Sequence, residues 1–68
     1  MTNTKLLYQK IDDSGLKHSY IAMRLGMTRQ GFSKKLHDRT EFKPSQINVL
    51  CELLHIVDPE ERRQIFLI

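Results

Sequence analysis

Between Tyr20 and Leu36 two short apolar stripes at helical spacing are separated by one glycine-centred turn, and this leaves few ways to close a core. Ile21, Ala22 and Leu25 fall at i, i+1 and i+4, so they share one face of a helix. Phe32 and Leu36 mark the inward side of the next helix. Gly26 supplies the left-handed backbone angle that reverses the chain between them. Ala22 is small, as it must be if two helices meet at a steep angle, because a large side chain there would hold them apart. The face away from Phe32 and Leu36 carries Arg29, Gln30, Ser33 and Lys34, all hydrogen-bonding groups.

Helical spacing recurs elsewhere, and no sustained period-2 alternation or Asn-Gly or Asp-Gly hairpin signal appears. The pattern predicts an all-α chain of five short helices. The first spans about Thr4 to Ser14, capped by Asn3 or Thr4, with Leu7 and Ile11 inward and Gly15 as its stop. The second spans about His18 to Leu25, and the third runs from a Thr28 cap to about Leu36. The polar stretch His37 to Phe42 reads as a loop. Pro44 suits the first turn of a fourth helix, with Ile47, Leu50, Cys51 and Leu54 as its stripe. The last helix opens with Asp58 as cap, Pro59 behind it and Glu61 placed to reach back. Ile65, Phe66, Leu67 and Ile68 are more apolar surface than so short a helix can bury alone. Ile65 or Phe66 could close the core, and all four are candidates for a dimer seam, with an exposed tail as the alternative.

A chain of 68 residues is expected to form a single domain, residues 1–68, whose one core supplies only a few kcal/mol. That leaves little room for a catalytic pocket, so no enzyme activity is expected. No apolar run approaches the ~20 residues of a membrane span, and the N-terminus has no signal-peptide pattern. One cysteine, Cys51, cannot form an internal disulfide, which suits a reducing cytoplasm. Charge is unevenly placed. Lys17, Arg24, Arg29, Lys34, Lys35, Arg39 and Lys43 stand against Asp38 and Glu41 for a net +5, while the rest of the chain carries −2. A basic middle in a slightly acidic molecule suits a polyanion partner, though a solvated basic surface has the same composition.

The run Leu25-Gly26-Met27-Thr28-Arg29-Gln30, with Gly15-Leu16 and Ile21-Ala22 before it and Phe32-Ser33 after it, resembles the helix-turn-helix family of the lambda repressor and Cro type, also called the XRE family. The resemblance covers nearly the whole chain. Its end, Leu53-Leu54-His55-Ile56 then Asp58-Pro59-Glu60-Glu61, is similar to small single-domain members from phages and integrated elements. Two positions depart from the usual pattern: Lys17 stands where Ser or Thr usually caps the second helix, and Gly31 takes a groove-facing position that usually bears a side chain.

The resemblance implies a compact five-helix lambda-repressor-like domain whose second and third helices form the helix-turn-helix. It implies a transcriptional regulator, a repressor by occupancy, that places its third helix in the major groove of operator DNA. Arg29, Gln30 and Lys34 would read bases, Arg29 on guanine and Gln30 on adenine. His18, Ser19, Thr28, Gly31, Ser33, Lys35, Arg39, Lys43 and Ser45 would lie in the groove or against phosphates. The implied partners are double-stranded DNA and a second copy, as a homodimer in solution or only on DNA, with no cofactor. A rival function is a protein-interaction module that binds and modulates a partner repressor. Cys51 and His55, four apart, lack the further ligands of a zinc site, and His18-Ser19 lacks the third group of a catalytic constellation, so no metal is expected.

Overall fold

Signals at the helix ends set the architecture. The structure, a computed structural model, describes residues 2–37 and 41–67, which form five α-helices and no strand. Helix α1 (Thr4–Ser14) is capped by Asn3, whose Oδ1 accepts the Leu6 amide at 3.2 Å. It stops at Gly15, where φ is +72° and the amide turns back to the Asp12 carbonyl. Helix α2 (His18–Arg24) ends one residue before the spacing predicts, with Leu25 as its C-cap. Gly26 then takes φ +73°, so its amide meets the Met23 carbonyl and the Met27 amide meets the Ala22 carbonyl, both at 3.0 Å. This pair of bonds satisfies the last carbonyls of α2. A Cβ on Gly26 would touch nothing within 4 Å, so the backbone angle is the reason for glycine there.

Helix α3 (Arg29–His37) follows at once, with Thr28 Oγ1 accepting the Gly31 amide at 3.0 Å. It runs through His37, which therefore belongs to the helix and not to the expected loop. Residues 38–40 of that loop lie outside the described residues. Phe42, read as loop, is a core residue with 4% exposure. Helix α4 (Pro44–Leu53) has Pro44 in its first turn, and Gln46 Oε1 accepts the Lys43 amide at 2.9 Å. It closes without glycine: His55 takes φ +56° while the Ile56 amide bonds the Cys51 carbonyl at 2.9 Å. Helix α5 (Pro59–Phe66) is capped by Asp58, whose Oδ1 accepts the Glu60 amide at 3.0 Å. Glu61 does not reach back. Its Oε2 meets Lys10 Nζ of α1 at 3.0 Å, a charged donor that outcompetes a backbone amide.

The core draws on every helix: Leu7 and Ile11, Ile21 and Ala22, Phe32 and Leu36, Ile47, Leu50 and Cys51, then Ile65 and Phe66. Each large apolar side chain fully buried here contributes about 1.5–3 kcal/mol. The radius of gyration, 10.7 Å, matches the ~11 Å of a compact chain this long. Ala22 is buried, and α2 and α3 pack directly on one another. Ile65 and Phe66, named above among the dimer candidates, are corrected by the structure: both are buried in the core of the single chain. The amide of Asn3 also bonds the Ile65 carbonyl at 2.6 Å, so the start of the chain closes over α5.

Candidate nucleic-acid interface

Burial of Phe32 and Leu36 fixes how α3 is rotated, and so decides what it shows to solvent. At about 100° per residue, Gln30 and Lys34 lie about 40° apart on the outward side. Both are exposed. Arg29 is exposed too, but it sits about 140° around the helix from Lys34, towards the start of α2. The expected trio is therefore split, with Gln30 and Lys34 outermost and Arg29 at a flank. Two shallow hollows confirm that placement of Arg29. One, of about 470 Å³, is lined by Asp12, Leu16, Lys17, His18, Ser19 and Arg29. The other, of about 350 Å³, is lined by Tyr8, His18, Arg29, Gln30 and Ser33. Sharing His18 and Arg29, the hollows bring the starts of α2 and α3 together on one face.

The remaining candidates divide. Ser19, Lys43 and Ser45 are exposed, and Ser33 is half-buried beside Gln30. His18 is half-buried, its ring 5.7 Å from that of Tyr8 and 5.8 Å from that of Phe32. It packs as much as it faces the hollows. Thr28 is first a cap. Its oxygen accepts from Gly31, leaving the hydroxyl proton for another partner. Gly31 has a local reason: a Cβ there would stand 3.2 Å from Thr28 Oγ1, so a side chain would crowd the cap. Lys35 is engaged internally, its Nζ donating to the Glu41 carbonyl at 2.9 Å and lying 5.4 Å from the centre of the Phe42 ring. Arg39 and Ile68 lie outside the described residues. Leu67 is 54% exposed, at φ +55° beyond the end of α5.

Four basic side chains of the central segment, Lys17, Arg29, Lys34 and Lys43, are exposed and make no hydrogen bond or ion pair among the described residues. Tyr8 and Asp12, which line the hollows, were not singled out from sequence. Tyr8 and Asp12 belong to α1 and reach this face only through tertiary packing, which leaves no local signal. Lys17 was visible as one charge among several and as the residue at the cap position of α2, where its side chain makes no cap bond.

Among the described residues, no group of three or more His, Cys, Asp or Glu side chains could hold a metal ion. Cys51 is buried, and burial raises its thiol above the ordinary value against a smaller opposing pull from Arg62. No described helix is long and apolar enough to cross a membrane. Compared with protein-family models, curated proteins and solved structures, the chain matches none.

Proposed function

We propose that this chain is a sequence-specific DNA-binding transcriptional regulator of the lambda repressor and Cro type, with α2 and α3 as its helix-turn-helix. The observation that carries this reading is the group of exposed, internally unpartnered cations, Lys17, Arg29, Lys34 and Lys43, on the segment that also displays Gln30 and Ser19. Self-repelling charge left without acidic partners is suited to phosphates, which release counterions when neutralised. In this reading α3 enters the major groove. Gln30 has the bidentate geometry for adenine and Arg29 that for guanine, while Lys34 reaches from the next turn. Lys17, Ser19, Lys43 and Ser45 would hold the backbone, and Thr28 would serve chiefly to start α3. Repression follows from occupancy of the operator. A homodimer would multiply specificity across two half-sites, and Leu67 is the candidate that remains exposed for its seam.

Exposed Tyr20 and Met23 on α2 favour the second reading, a module that docks on a partner repressor. Retardation of duplex DNA across a salt series separates the two. Neutralising four to six phosphates gives a slope of log K on log salt of about −4 to −5. A flat series, or no retardation, removes the DNA reading and leaves the partner reading.

A further inference from the structure

Three of the segments assigned to DNA above are joined beneath the surface by ring contacts. The His18 ring at the start of α2 meets Phe32 of α3 edge-on at 5.8 Å. Phe32 meets Phe42, just before α4, at 6.3 Å. Lys35, one turn along α3 from Phe32, then lies over the outer end of this chain with its Nζ 5.4 Å from the Phe42 ring centre. The same Nζ donates to the Glu41 carbonyl at 2.9 Å. One side chain thus grips both the ring and the backbone of the segment leading into α4. The next residue is Lys43, whose ammonium has no internal partner.

We infer that Lys35 is a positioning residue, which holds residues 41–43 against α3 so that Lys43 meets a phosphate while α3 lies in the groove. This rests on the DNA reading above. A lysine suits the task because one ammonium can serve a carbonyl and an aromatic face together. The inference differs from a phosphate contact by Lys35 itself, since its effect must pass through Lys43.

A mutant cycle on the full chain, with a mixed-sequence duplex as probe, tests it. Lys35→Met keeps the apolar stem and removes the charge. It should weaken binding about threefold to tenfold and lower the salt slope by about 0.9, the share of one phosphate. In a Lys43→Ala background the same change should cost less than about twofold and leave the slope alone. Lys35→Arg should restore binding in the wild-type background, because guanidinium also stacks on rings. Equal losses in both backgrounds would show that Lys35 touches phosphate directly and overturn the inference. Unchanged binding with a lowered melting temperature would overturn it too, leaving only a packing role. Proton NMR of the DNA-free protein gives a separate reading: the Lys35 ε-methylene protons should be shifted upfield by the Phe42 ring. Ordinary shifts there would overturn the clip whatever the DNA results. Absence of any salt-dependent binding by the wild type, with the upfield shift present, would instead sink the DNA reading.

Discussion

Where α5 meets α1 and α4, cations are bonded within the molecule: Lys10 to Glu61 at 3.0 Å, Arg62 Nη2 to Asn48 Oδ1 at 3.0 Å, and Arg63 to Glu60. Along the central segment Lys17, Arg29, Lys34 and Lys43 have no such partner. Lys5 on α1 is the exception on the first side, exposed and unpaired; on the second the exceptions are Arg24, bonded to the Tyr20 hydroxyl at 3.1 Å, and Lys35, bonded to the Glu41 carbonyl at 2.9 Å. Composition does not explain the contrast, because acids are available: Asp12 lines the same hollow as Lys17 and Arg29 yet bonds to neither. Exposed pairs contribute only about 0–1 kcal/mol each, so pairing on the α5 side does little for stability. It does silence the local field. Unpaired cations keep theirs, which extends about 8 Å into physiological salt before it is screened. On one side the cations are mostly engaged within the molecule; on the other, four of them are not.

The most severe way to break this contrast is to remove the support both regions share. Phe32 is fully buried and its ring meets those of His18 and Phe42. Phe32→Ala should cost about 3–5 kcal/mol in lost burial and cavity. A one-core domain of this size has only a few kcal/mol to lose, so the variant should be largely unfolded at room temperature. Far-ultraviolet circular dichroism during a thermal melt checks this. Retained helicity with a melt within a few degrees of wild type would mean that α3 is seated by something other than this ring.

Matched substitutions on the two sides sharpen the contrast. On the proposed DNA reading, Gln30→Ala or Arg29→Ala should lower operator affinity by about 1–3 kcal/mol and relax preference at one base pair. Lys43→Ala should weaken all sequences alike and reduce the salt slope by about 0.9. Lys10→Ala, on the α5 side, should leave slope and sequence preference as they were and change stability by at most about 1 kcal/mol. Selection from randomised duplexes and a salt series measure all four variants. Should Lys10→Ala alter the slope as much as Lys43→Ala, the division of labour between the two sides is wrong.

Helix starts and stops were legible because each is a local transaction. Asn3, Gly15, Gly26, Thr28, Pro44 and Asp58 each do in the structure what their chemistry predicts at a helix end. Of the outward set on α3, Gln30 and Lys34 were legible for the same reason, since Phe32 and Leu36 leave them one place to point, whereas Arg29 lies at a flank and Ser33 is half-buried. Phe42 was not: a lone aromatic in a polar stretch has no period to reveal that it is buried. Nor was His55, which adopts a left-handed angle without being glycine, in answer to the Ile56–Cys51 bond across it. At the C-terminus an apolar run looks alike whether it faces in or out, so Ile65 and Phe66 needed the packed chain to be placed. Lys35 shows the same limit on the candidate site. Its charge advertised a phosphate, while its use depends on a ring seven residues on.

A smaller effect concerns how α3 begins. Thr28→Ala should cost about 1 kcal/mol through the lost cap. Alanine in a helix is favoured over glycine by about 1 kcal/mol, so Gly31→Ala should stabilise α3. With Thr28 present, however, the new Cβ stands 3.2 Å from its Oγ1 and part of the gain is spent displacing the cap. The full gain should appear only in the Thr28→Ala background. Urea denaturation of the four proteins gives the coupling. Equal gains in both backgrounds would mean that the cap does not explain the glycine.

The smallest effect lies at Cys51 of α4, within the electrostatic reach of Arg62. Burial raises its thiol above the ordinary value of 9.0, and Arg62 offsets only part of that. A group whose folded pKa is raised keeps its proton in the fold after the unfolded chain has lost it. Well below pH 9.0 both states hold the proton and Cys51 adds no pH dependence. Above it the unfolded state ionises first, so stability must fall as pH rises, until the folded thiol ionises as well. Urea midpoints between neutral and alkaline pH should therefore decline more steeply for the wild type than for Cys51→Ala, which has nothing there to titrate. The same burial should make native alkylation by iodoacetamide slow and limited by opening of the fold. A wild type and Cys51→Ala with parallel alkaline slopes, together with prompt alkylation at neutral pH, would place Cys51 in solvent instead of in the core.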